Sequence, residues 1–63
     1  MSAAEKLKLH RGDKSIDIVA KDIGISRSAI AMYETGARIP RDEIKLALAR
    51  YYGVTVEYLF FSS

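Results

Sequence analysis

The chain has 63 residues, ten Lys and Arg against eight Asp and Glu, one His and no Cys. A chain of this length makes one domain, with a core too small to be robust unless helices pack well or a partner adds to it. It cannot form disulfides or a thiolate metal site, and its apolar runs, a few residues each, are too short to cross a membrane. The first residues have no apolar signal core, which leads us to expect a cytoplasmic protein. An enzyme is not expected, because no acid–base pair or phosphate loop is visible and His10 is the only histidine. The net charge of +2 is carried by the first two thirds of the chain: residues 1–41 hold eight basic and five acidic side chains.

Glycines at 12, 24, 36 and 53 each follow a segment that reads as a helix. The first helix runs from about Ala3 to His10, with Ser2 and Glu5 as a capping box and Leu7 pointing inward. Leu9 has no clear place. The second starts after Ser15, with Ile16, Val19, Ala20 and Ile23 on one face. The third starts after Ser26. At about 100° per residue, Ala29, Ile30, Tyr33 and Glu34 share one side and Arg27, Ser28, Ala31, Met32 and Thr35 the other. After the loop Ala37-Arg38-Ile39-Pro40, a fourth helix carries Ile44, Leu48, Ala49 and Tyr52 inward. The tail Val54–Phe61 alternates like a strand, yet it also fits a short helix capped by Thr55 with Val56, Leu59 and Phe60 inward. The helix is preferred, because no other segment offers a strand partner. The expected fold is all-α, a single domain over residues 1–63.

The informative unit is the second helix, the three-residue turn Gly24-Ile25-Ser26 and the third helix. So short a turn sets two helices at a steep angle, as in a helix-turn-helix. Gly24 supplies the backbone freedom, and Ala20 is small where the helices approach. An ordinary corner of a small helical bundle is the alternative.

These residues resemble the lambda-repressor-like, Cro-type helix-turn-helix regulators, also called the xenobiotic-response-element family. The likeness rests on Ala20, the run Gly24-Ile25-Ser26-Arg27-Ser28, Ile30, Tyr33-Glu34-Thr35-Gly36, Ile39-Pro40 and the ending Ala49…Gly53-Val54-Thr55-Val56-Glu57…Leu59-Phe60. It implies a compact five-helix domain, a helical tail and sequence-specific binding of double-stranded DNA as a transcriptional regulator. Many relatives are dimers.

In that geometry the third helix lies in the major groove. Arg27 could pair with guanine O6 and N7, Ser28 could exchange hydrogen bonds with several bases, and Ala31 and Met32 could meet a thymine methyl. The candidate phosphate contacts are Ser15, Ser26, Thr35, Arg38 and Arg41, with Lys21 and Lys14 weaker. The family touches backbone in the loop holding Arg38 and Arg41. Glu34 is expected to accept hydrogen bonds within the fold, with Arg11 as a candidate donor. Ile16 replaces the Gln common in relatives, so it either removes a backbone contact or turns into the core. His10 stands where an apolar residue is expected and reads as a rim residue rather than a metal ligand.

Five of the six aromatics lie in the last thirteen residues. Tyr51, Tyr58, Phe60 and Phe61 are therefore candidates for a homodimer interface that would set two third helices about 34 Å apart on DNA. No cofactor, metal or small-molecule ligand is expected. The small size favours repression by steric exclusion. The runner-up is a helical protein-interaction module of antitoxin-like type, with weak DNA binding or none.

Overall fold

Serine placed just before an apolar-periodic segment starts each of the first three helices. In the computed structural model, which describes residues 1–62, α1 spans Ala3–Arg11, α2 Ile16–Ile23, α3 Arg27–Thr35 and α4 Asp42–Tyr52. Ser2, Ser15 and Ser26 accept the backbone N–H of Glu5, Ile18 and Ala29 at 3.2, 3.2 and 3.1 Å. The Ser2 N–H donates in return to Glu5 at 2.8 Å, which completes the capping box and lowers the Glu5 pKa. First-turn acids on α1, α2 and α4 suit the positive helix end. α3 has none and begins with a cation instead.

Gly24 ends α2 at φ +88°, in the left-handed region, and its N–H closes on the Ala20 carbonyl at 2.8 Å. The Ile25 N–H reaches the same carbonyl at 3.0 Å. The chain thereby turns within three residues, and Ala20, 4% exposed, lets the two helices meet closely.

The tail is helical, as preferred, and no strand occurs among the described residues. Its form is a single wide turn of π type, α5 (Glu57–Phe61). The Thr55 hydroxyl accepts the Tyr58 N–H at 3.0 Å, as expected of a cap. The Tyr58 carbonyl is already taken by the Lys6 ammonium at 2.6 Å and the Ser62 hydroxyl at 2.9 Å. An ordinary α-helical bond to that carbonyl is thus displaced, which accounts for the widening.

α3 is flanked by α1 and α2, α1 also holds α5, and α2 touches α4. The buried core is Leu7, Val19, Ala20, Ile30, Tyr33, Leu48, Ala49 and Leu59. Ile16 packs against it. Of the two options open for that residue, turning into the core is the one observed. Leu9 is exposed, and His10 sits half-buried at the rim with its Nε2 3.0 Å from the Tyr58 hydroxyl. No helix among the described residues is long and apolar enough to cross a membrane.

Candidate nucleic-acid interface

The packing of α3 decides which of its side chains can meet a ligand. Arg27, Ser28 and Thr35 are exposed, whereas Ala31 and Met32 are half-buried. The expected free arc is therefore narrower than helical periodicity suggested. α1 and α2 cover α3 from two sides, and the following loop folds back so that the Arg38 N–H donates to the Met32 carbonyl at 3.3 Å. Met32 keeps part of its surface, so an apolar contact with a base edge stays sterically open.

The expected phosphate contacts differ in what they still offer. Ser15 and Ser26 use a lone pair as acceptors in their caps, and each retains its hydroxyl proton for an anion. These hydroxyls stand at the N-terminal ends of α2 and α3, where free backbone N–H groups and the helix dipole favour negative charge. Thr35 is different: its hydroxyl already donates to the Met32 carbonyl at 3.2 Å, so it must rotate to serve a phosphate. Arg38 and Lys21 are exposed and form no ion pair among the described residues. Arg41 lies 3.7 Å from Glu43, with both side chains mostly in solvent, a contact weak enough to yield to a phosphate. Lys14 is committed elsewhere, 3.1 Å from the Tyr51 hydroxyl.

Beneath this face, Glu34 is held by Arg11 as expected. Arg11 Nε and Nη2 donate to the two carboxylate oxygens at 2.7 and 3.0 Å, and Nη1 donates to the Lys14 carbonyl at 2.8 Å. The forked contact ties the end of α1 and the loop before α2 to α3. Hydrogen bonding to Glu34 raises the Arg11 pKa above its ordinary value. Glu34 is thereby a framework residue, and its negative charge is neutralised by Arg11.

Two features were not read from the sequence. Arg27, first residue of α3, lies with its Nε 2.9 Å from Oδ1 of Asp17 in the first turn of α2. Ten positions separate them, a spacing that no single-helix rule connects. The second is an apolar groove between α4 and α5, lined by Leu46, Val56 and Phe61, with Asp42, Lys45 and Glu57 around it. Leu46 lies off the Ile44–Leu48–Tyr52 stripe and is 51% exposed. An apolar residue on the charged side of α4 is the signal that would have found this face.

The four candidate interface aromatics are unequally free. Phe61 is 68% exposed and Tyr58 38%, while Phe60 is half-buried against the core. Tyr51 is half-buried, and its hydroxyl donates to Asp22 at 2.7 Å.

Two short helices joined by a three-residue glycine turn, the second packed into the core and presenting its start to solvent, define a helix-turn-helix protein. The chain matches the helix-turn-helix family of the lambda-repressor and Cro type over residues 5–59 and belongs to it. This is a family of DNA-binding transcription regulators, typically without enzymatic activity. Comparison with curated proteins found no match.

Proposed function

We propose that this protein is a sequence-specific repressor that lays α3 in the major groove of duplex DNA and acts as a homodimer in the cytoplasm. The observation that carries the reading is the joint placement of the capped starts of α2 and α3, with Arg27 and Ser28 exposed beside them. Helix starts bind phosphate, which fixes register, and the side chains next to them read base edges. Arg27 and Ser28 carry specificity in this reading, with Ala31 and Met32 adding a small apolar contact. Ser15, Ser26, Lys21, Arg38 and Arg41 meet the phosphates, and Thr35 joins them after rotating its hydroxyl. Steric exclusion from a promoter requires no surface beyond this one, which favours repression over activation.

The test is selection of binding sites from random duplexes, followed by titration of variants at several salt concentrations. Arg27→Ala should cost about 1–3 kcal/mol on the selected site and relax preference at one base pair. Arg38→Ala should weaken all sequences alike and lower the salt slope by about one. Wild-type affinity of Arg27→Ala for the selected site would rule out α3 as the reading helix.

The exposed groove at Leu46, Val56 and Phe61 keeps a second reading open, that of a module which binds another protein. Stable capture of a distinct protein without DNA, together with no salt-dependent retention on duplex DNA, would favour it.

A further inference from the structure

An arginine that reads guanine must present its guanidinium edge at a fixed angle, yet Arg27 begins a helix and is 66% exposed. Such a side chain samples many rotamers in water, and ordering it on DNA costs entropy. A cation at the start of α3 also opposes the helix dipole. Asp17 answers both difficulties. It stands in the first turn of α2, where a carboxylate is favoured, and it lies 2.9 Å from Arg27 Nε. The closest approach is at Nε, the inner edge of the guanidinium, and it is an ion-pair contact rather than an aligned hydrogen bond. The terminal Nη groups form no hydrogen bond among the described residues, so the end that could bridge O6 and N7 of a guanine stays available.

We propose that Asp17 is a specificity-determining positioning residue: it holds Arg27 across the helix-turn-helix with its outer edge turned to the bases. Asp17 touches no base in this scheme, and it acts through Arg27. Its charge is offset by the same partner, so the acid does not repel phosphates at the start of α2. The proposal rests on the DNA-reading assignment of α3.

The experiment compares Asp17→Ala, Asp17→Asn, Arg27→Ala and the Asp17→Ala/Arg27→Ala double variant on the duplex that the wild type selects and on its single-base-pair changes. Discrimination is a ratio of two affinities of one protein, so a general loss of stability leaves it unmoved. In Asp17→Ala it should fall about 1.5- to five-fold, the range of exposed-pair couplings, and only at the base pair where Arg27→Ala also loses it. Asp17→Asn should fall between wild type and Asp17→Ala. In the Arg27→Ala background, removing Asp17 should change nothing further. In the DNA-free protein, the Arg27 Nε–H resonance should shift on Asp17→Ala. An equal change on every duplex would overturn the proposal and make Asp17 a plain electrostatic brake, while leaving the DNA-reading assignment intact. A loss that persists undiminished without Arg27 would also overturn it. A wild type that shows no sequence preference would remove the assignment and the proposal together.

Discussion

At the scale of single residues, a few polar groups fix the framework on which α3 rests. Arg11 and Glu34 are 16% and 7% exposed and share two hydrogen bonds. Breaking a buried pair from one side leaves the other charge uncompensated. Glu34→Gln should therefore cost about 3 kcal/mol, the lower end for buried pairs because Arg11 keeps some contact with water. A domain of this size holds roughly 3–9 kcal/mol in total, so the melting temperature should fall steeply. Calorimetry or a urea titration reads this, and a loss below about 1 kcal/mol would class the pair with ordinary surface contacts. Tyr52 gives a pH prediction. Burial, then the nearby Glu34 charge, pushes its pKa from 10.0 to about 12. The folded state thus holds this proton more tightly than the unfolded chain. The associated stability is fully present below pH 10 and is lost as the pH climbs from 10 to 12. Tyr52→Phe should remove this part of the alkaline destabilisation. An unchanged alkaline profile in that variant would contradict the assignment.

At the scale of elements, the divide between what could be read in advance and what could not follows sequence distance. Caps, glycine stops and inward stripes depend on neighbours within one or two turns, and α1 to α4 were accordingly legible from Ser2, Ser15, Ser26 and the glycines. The pair Arg11–Glu34 was also legible, because the Tyr33-Glu34-Thr35-Gly36 block assigns its acid an internal role. The form of α5 was not. It is set by Lys6, 52 positions from Tyr58, whose ammonium binds the carbonyls of Tyr58 and Ser62 at 2.6 and 2.8 Å. It also lies 4.6 Å from the centroid of the Tyr58 ring. A lysine on a helix reads as a solvated charge until the tail that folds over it is known, yet this one is 5% exposed. It serves α5 as a cationic C-terminal cap delivered by another helix. Lys6→Met keeps much of the aliphatic stem and removes the donor. It should cost about 2 kcal/mol, the scale of a hydrogen bond to a charged group. It should also speed amide exchange in α5 more than in α2 or α3. Uniform acceleration across all helices would mean that Lys6 supports the fold generally rather than the tail.

At the scale of the whole molecule, dimensions bear on association. The described chain measures 27 × 22 × 20 Å. Successive major-groove faces are about 34 Å apart, so under the proposed function one copy would read one half-site and a longer operator would call for two. In the proposed homodimer the second copy lies against α4 and α5. There Leu46 and Phe61 are 51% and 68% exposed beside Val56, and Lys45 sits under the Phe61 ring at 4.9 Å. Tyr51 contributes less than its position suggested, because its hydroxyl is bound to α2. Which aromatic faces outward depends on how α4 and α5 are rotated in the packed bundle, and composition carries no record of that rotation. A two-fold interface counts each side chain twice. Burying a Phe is worth about 1.5–3 kcal/mol, so Phe61→Ser should cost the dimer about 3–6 kcal/mol, a hundredfold or more in dissociation constant. Leu46→Ser should behave alike. Both side chains face water in the single subunit, so its thermal unfolding as a monomer should hardly change. Sedimentation at micromolar concentration, with and without the selected duplex, separates the outcomes. A wild type that stays monomeric in both conditions would sink the dimer, and variants that associate like the wild type would move the interface elsewhere.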